Sequence, residues 1–296
     1  MIDLTPPKYP NVSTRHLANF YWPGGKTCGV TIGWHMDGEA GPVFWEREKA
    51  PQHLAAISEA AYGITTALPR ILELHRRFEI PATFFVPAHV AERHPHAIDA
   101  ILSDGHEIGH HGYMHENVFG MTLECERAIF EHANEILLKM TGQTPRGWSA
   151  PGWAITEQTL QIMVELGMLY DGSLMEYDLP HFVNVDAGEL VELPISMVLD
   201  DWAMFGGGIY PYSPAQIMPA EHARQIWYEE FQGLQQVGGL FHSTFHPNLT
   251  GRPGRLLMLA RLFEQMREHD DVWWGTCEEA AEWLIKLEGK ERNEDE

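Results

Sequence analysis

Residues 109–117 read GHHGYMHEN, which places His110, His111 and His115 within six positions. Imidazole nitrogens bind divalent ions at about 2.0–2.1 Å and titrate near neutral pH, so such a cluster can hold a metal or move protons. The longer run DGHEIGHHGYMH contains two pairs four residues apart, His106 with His110 and His111 with His115. The first pair spells H-E-x-x-H, a zinc pattern that needs a helix so that both rings share a face. Gly105, Gly109 and Gly112 interrupt the segment, and each interior glycine weakens a helix by up to about 1 kcal/mol. The extended protease motif would need glycine at 113 and histidine at 116, where this chain has Tyr113 and Glu116. A helical protease site is therefore disfavoured.

The second pair suits a loop. Extended residues four apart are separated by about 13 Å, so the chain must curl between His111 and His115 before their nitrogens can share an ion. Gly112 is a suitable place for that curl. A third ligand is expected from GWHMDGEAG, where Asp37 precedes Gly38 and Glu39. Asp37, His111 and His115 would supply a carboxylate and two imidazoles, and three protein ligands leave a position for water, as in catalytic zinc. The competing reading is a turn aspartate and two solvated loop histidines.

Further reactive residues sit in similar places. LFHSTFHPN supplies His246 just past an apolar run, a candidate general acid, whereas His242 lies inside the run and reads as packed. Asp171 in LYDGSLM either orients His246 by accepting its second ring proton or initiates an Asp-Gly turn. His35 precedes Asp37 by two residues, so strand alternation puts both side chains on one side. It is a candidate proton acceptor or a support for a ligand, and Glu39 is the other candidate base. In LDDWAMFGGG, Asp200, Asp201 and Trp202 suit a pocket lining, with the 202–212 loop as a lid or a simple turn. Trp148, Trp153 and Phe205 read as pocket wall or as core.

All these residues follow apolar strand cores, and helical patterns alternate with them. Strands are expected near 27–34, 82–86, 106–112, 146–150, 168–173, 189–196, 240–247 and 271–276. Helices are expected near 53–78, 88–102, 123–140, 155–166, 214–237, 254–269 and 277–289. This rhythm indicates an α/β fold with seven or eight parallel strands. A single-domain distorted (β/α) barrel is favoured over an open sheet, because a barrel brings its strand ends to one face. An N-terminal arm would occupy 1–27, the barrel 28–288 and a charged, frayed tail 289–296. Neither G-x-G-x-x-G nor a phosphate-binding G-x-x-x-x-G-K-[ST] follows a first strand.

Lys and Arg total 20 against 42 Asp and Glu, a net charge of −22. Such a chain should repel nucleic acid and anionic lipid, which require clustered positive charge. The expected partner is a small-molecule substrate. The arm is also a candidate contact with a second copy, which would make a homo-oligomer. Cys28, Cys125 and Cys277 are far apart, which argues against disulfides and thiolate zinc. The N-terminus carries no signal pattern and no run reaches 18 apolar residues, so a cytoplasmic location is expected.

TIGWHMDGE, EIGHHGYMH, RGWSAPGW, LYDGSLM, FHPNLTGRPGR and DVWWGTCEEAAEW together resemble, in order and position, the polysaccharide deacetylase family, also called the NodB-homology or carbohydrate esterase family 4 fold. More closely, the chain resembles a cytoplasmic branch with cyclic imide hydrolases, allantoinase-like proteins and peptidoglycan deacetylase-like proteins. The similarity covers roughly 28–284. The resemblance implies a distorted (β/α) barrel and one divalent ion, usually zinc, on Asp37, His111 and His115. It also implies His246 as general acid with Asp171 beside it. Glu39, Trp148, Ser149, Pro151, Asp201, Trp202 and Phe205 complete the expected pocket. Two departures stand out. His35 occupies the place of the family's base aspartate, and Ser149 that of the arginine which steadies it, with Arg146 three residues earlier. The missing carboxylate and the missing arginine are mutually consistent changes. The implied reaction is metal-dependent hydrolysis of a non-peptide C–N bond. The altered base favours a small cyclic amide or imide. The alternatives are an N-acetyl-sugar or peptidoglycan N-acetylglucosamine deacetylase and a non-catalytic homologue.

Overall fold

The sequence CGVTIGWH is buried at all eight positions, and burial on both faces marks a strand at the centre of a parallel sheet. In the computed structural model, which describes residues 10–45, 48, 52–206 and 217–294, this stretch is the hub of a ten-stranded sheet. In chain order the strands are β1 (Ser13–Arg15), β2 (Cys28–His35), β3 (Thr83–Val86), β4 (Glu107–His110), β5 (Gly147–Trp148), β6 (Tyr170–Asp171), β7 (His181–Val185), β8 (Gly188–Glu192), β9 (Leu240–Phe245) and β10 (Val272–Gly275). One edge of β2 pairs in parallel with β9, from Gly29 opposite Leu240 to Trp34 opposite Phe245. The other edge takes β10 along its first half and β3 along its second. From β3 the sheet continues in parallel through β4, β5, β6 and β8.

The sheet is mixed, and that departs from the parallel-only expectation. β7 pairs antiparallel with β8, and β1 antiparallel with β7. The hairpin closes with Val185 opposite Gly188, so Asp186 and Ala187 form a two-residue turn. Alternation in HFVNV and the turn residues after it carried that signal. The expected α/β alternation otherwise holds. Helices Leu123–Thr141 and Ala220–Val237 each end at a glycine in the left-handed region, Gly142 and Gly238, the usual helix stop. The helical pattern at 88–102 splits into Ala88–Arg93 and Pro95–Ser103, because the residue before a proline avoids helical angles. Among the described residues no helix is long and apolar enough to cross a membrane.

Two features of the fold prepare the site. The helix over Leu54–Phe78 contains a π-helical stretch, Gly63–Ala67. A Cβ on Gly63 would lie 2.9 Å from the Asn248 nitrogen, so glycine lets this helix pack against the loop that follows His246. The described part of the arm, from residue 10, joins the same sheet rather than standing apart from it. β1 extends the sheet edge, and Trp22 is buried. The Trp22 ring stacks on Trp273 at 5.4 Å, and its Nε1 donates to the Gly238 carbonyl at 2.9 Å. The last helix runs from Cys277 to Glu294, so 289–294 of the tail expected to fray are helical, and 295–296 lie outside the described residues. Arg15 pairs with Glu288 at 2.7 Å and ties that helix to β1.

Trp22→Ala should remove about 3–5 kcal/mol of stability, the usual loss for truncating a buried tryptophan. Denaturant unfolding with an unchanged slope checks this.

Candidate metal centre

β4 ends at His110, and the next five residues carry out the predicted curl. Gly112 and His115 both take left-handed backbone angles, φ 77° and φ 61°. Such angles are uncommon for a residue with a side chain and persist only where the surroundings hold them. Glu116 provides the hold. Its carboxylate accepts the Tyr113 N–H at 3.0 Å and the Met114 N–H at 2.8 Å. A Cβ on Gly112 would lie 2.7 Å from Glu116 Oε2, so a larger residue would break the turn. The Pro151 ring would lie 3.5 Å from the same Cβ.

The curl aims two imidazoles at Asp37. His111 Nε2 lies 3.4 Å from Asp37 Oδ1, and His115 Nε2 lies 3.5 Å from Asp37 Oδ2. His111 donates its Nδ1 proton to the Ser149 carbonyl at 2.5 Å, so its Nε2 keeps only a lone pair. That nitrogen and Asp37 Oδ1 have no hydrogen-bond partner. Two acceptors facing each other at this range repel unless a cation lies between them. The three ligand atoms all lie within 4.8 Å of one another. A carboxylate with two imidazoles, one oriented through its second nitrogen, therefore fits a divalent ion. Burial alone would push the Asp37 carboxyl up, but the His115 and His246 rings beside it hold it well below the usual range.

His246 follows β9 and also approaches Asp37, with Nε2 3.6 Å from Asp37 Oδ2. Its Nδ1 donates to Asp201 Oδ1 at 2.7 Å, and its backbone N–H donates to Asp201 Oδ2 at 2.9 Å. The Thr250 hydroxyl donates to the same Oδ2. Burial would push the His246 ring down. The carboxylates of Asp201, Asp37 and Asp200 outweigh burial and raise it to about 10, so the ring is cationic at neutral pH. Asp201 opens the short helix Asp201–Phe205, and the Asp200 carboxylate caps it through the Trp202 N–H at 2.7 Å. Burial pushes the Asp200 carboxyl up to about 6.

His35 ends β2. Its ring centre lies 4.4 Å from that of His111 and 5.4 Å from that of His246. Burial, then the neighbouring His111 and His246 rings, push it well below the ordinary histidine range, so it is neutral. Its Nε2 lies 3.0 Å from the Ser149 hydroxyl. Two tryptophans flank the group. Trp153 stands 5.5 Å from His35 and donates Nε1 to Asp200 at 3.2 Å. Trp202, 44% exposed, stands 5.4 Å from His246. One cationic and one neutral imidazole beside a metal triad is the apparatus of a metal-dependent hydrolase.

Several expectations are corrected. The carboxylate on His246 is Asp201, not Asp171. Asp171 accepts from the Ser173 hydroxyl at 2.7 Å and pairs across the sheet with Glu192. Burial pushes both of those carboxyls up. Glu39 turns away from the metal ligands and meets His94 Nε2 at 3.0 Å. Trp148 and Phe205 are core rather than pocket wall. Trp148 packs on Phe130 at 4.5 Å, and Phe205 contacts Trp227 at 6.0 Å. His106 and His110 of the H-E-x-x-H pair lie outside the ligand group. His110 is a buried strand residue stacked on Phe130, as the glycines around it suggested. His242 is packed, with Nδ1 near the Leu193 carbonyl. Arg146 pairs with Glu278 and Glu282. Of the 202–212 loop, 207–212 lie outside the described residues. Glu116 was missed as the lock of the turn. Its place one residue after His115 was the available signal.

Asp37→Ala or His111→Ala should abolish stoichiometric metal binding, and His106→Ala should retain it, as read by elemental analysis after dialysis. Asp201→Asn should lower the His246 pKa, as read by NMR titration of the ring protons. The folded-state value is raised, so the stabilisation it brings is complete below the ordinary histidine pKa. That stabilisation fades as pH rises through about 10, and in the variant it should fade at lower pH.

Comparisons with known proteins place the whole chain. Residues 56–170 match the family model described as Polysaccharide deacetylase. The chain is 30% identical over 257 residues to the peptidoglycan deacetylase of Helicobacter pylori, covering 78% of this chain and 87% of that one. It superimposes with a TM-score of 0.89 on a Mycobacterium smegmatis protein provisionally described as a polysaccharide deacetylase. That match has 35% identity and covers 93% and 96% of the two chains. It also resembles the PuuE allantoinase structure, with a TM-score of 0.76, 26% identity and coverage of 88% and 91%. Similar to these proteins over most of its length, the chain belongs to the polysaccharide deacetylase family.

Proposed function

We propose that this protein is a deacetylase that hydrolyses the acetamido C–N bond of an N-acetylated sugar, of the kind found in peptidoglycan. The observation that carries the reading is the Asp37, His111 and His115 triad beside the cationic His246–Asp201 pair. It occurs in a chain similar over most of its length to a peptidoglycan deacetylase. This favours the sugar amide over the cyclic amide to which the altered base motif alone points. The same reading takes the sheet as a distorted (β/α) barrel. A parallel bridge between Asp200 and Thr244, and the Leu240 N–H donated to the Asp178 carbonyl, support that view.

A divalent ion held by Asp37, His111 and His115, for which we propose zinc, would supply Lewis acidity to the substrate carbonyl and to the attacking water. His35, neutral and within the group, accepts one proton from the attacking water as the new C–O bond forms. His246 donates its Nε2 proton to the leaving nitrogen as the C–N bond breaks. Its Nδ1–H stays on Asp201, which keeps the ring aimed. The products are acetate and a free amine, and proton exchange with solvent resets the two histidines. Trp153 and Trp202 flank the reacting groups and offer flat faces to a ring.

A second reading, hydrolysis of a small cyclic amide or imide, is favoured by His35 standing where a carboxylate base is expected. The likeness to an allantoinase structure also supports it. Oligomers of N-acetylglucosamine should release acetate, and chelation should stop the release until a divalent ion is returned. His246→Ala should lower kcat by roughly 10²–10⁴-fold, the usual worth of a general acid. Ring opening of succinimide, hydantoin or allantoin without any acetate release would replace the first reading with the second.

A further inference from the structure

Ser149 touches two of the site's imidazoles, those of His111 and His35, through two different atoms. Its carbonyl oxygen accepts the His111 Nδ1 proton at 2.5 Å. Its hydroxyl oxygen lies 3.0 Å from His35 Nε2. The hydroxyl proton is already committed, because it is donated to the Gly172 carbonyl at 3.1 Å. A hydroxyl has a single proton and two lone pairs, so toward His35 it can only accept. His35 must then carry its proton on Nε2 and present its lone pair at Nδ1. The serine itself is held firmly. It is buried, and its N–H donates to the His110 carbonyl at 3.2 Å. The next residue, Ala150, donates its N–H to the Ser173 hydroxyl at 2.9 Å.

We infer that Ser149 is a positioning residue that sets the tautomers of two histidines at once. The main chain makes His111 offer Nε2 to the metal, and the side chain makes His35 offer Nδ1 to the proton of water. The role given to His35 rests on the hydrolase reading above, whereas the tautomer assignment rests on the hydrogen bonds alone. A neutral acceptor suits this place. A cationic side chain here would add positive charge beside three clustered imidazole rings. The hydroxyl adds none, and its bond strengthens when His35 takes up a proton, because the donor is then charged. The two functions are separable, since replacing the side chain leaves the carbonyl in place.

The test uses the full-length, zinc-loaded protein and long-range ¹⁵N–¹H NMR of its histidine rings. The wild type should show His35 protonated at Nε2 and His111 at Nδ1. In Ser149→Ala, the His111 pattern and the zinc stoichiometry should be unchanged, while His35 should become a mixture of tautomers. With N-acetylglucosamine oligomers, kcat should fall about 10- to 100-fold, the usual effect of losing an orienting partner, with KM held. Ser149→Thr, which restores a hydroxyl, should recover both the tautomer and kcat. A wild-type His35 protonated at Nδ1, or an unchanged tautomer in Ser149→Ala, would overturn the inference. If the wild type hydrolyses no substrate tested, the functional reading falls, and the NMR pattern alone still decides the role of Ser149.

Discussion

Three electron-pair donors pointed at one small volume are stable only around a positive charge. That constraint governs the functional end of this molecule. Asp37 brings a carboxylate from the end of β2, while His111 and His115 bring ring nitrogens from a single turn after β4. The turn needs two left-handed residues, one of them a histidine, and the Glu116 carboxylate ties it through two backbone N–H groups. Ser149, from the next strand over, removes the alternative tautomer of His111. The tied turn holds the ligands together against their mutual repulsion, and Ser149 keeps the His111 lone pair aimed at the same volume.

Around this core, burial and charge sort two similar histidines into opposite states. His35 and His246 are both buried, and burial pushes both pKa values down. They differ in their neighbours. His35 faces other imidazoles and a hydroxyl, and the single carboxylate of Asp37 does not offset its desolvation. His246 lies between Asp201, Asp37 and Asp200, and their carboxylates reverse the effect. One ring is thereby ready to accept a proton and the other ready to donate one, within 5.4 Å between ring centres. Pairs of titratable groups driven apart by their surroundings are a general mark of acid–base sites.

Local physics carried much of this into the sequence. Apolar runs alternating with helical periods showed the α/β rhythm, and glycine and proline marked most helix ends. The 13 Å problem between His111 and His115 demanded a curl, and the glycines around His106 and His110 ruled them out as a helical pair. The hairpin of β7 and β8 was not read, although its turn was visible. A rule that expects a helix after every strand passes over an antiparallel excursion.

The sequence by itself determined which residue types stand at the strand ends, and that the histidine turn had to close, because those follow from spacing and backbone sterics within a few residues. Only the tertiary structure decided which partners those residues meet. Asp171 and Asp201 are equally plausible partners of His246 on paper, since each follows or precedes a short element at a strand exit. They lie 75 and 45 positions from it along the chain, and local pattern has no reach over such separations. The same holds for Trp148 and Trp153, five residues apart, one sealed against Phe130 and the other beside His35. The direction in which a side chain leaves a tight turn depends on packing from distant strands, and that is settled when the sheet assembles.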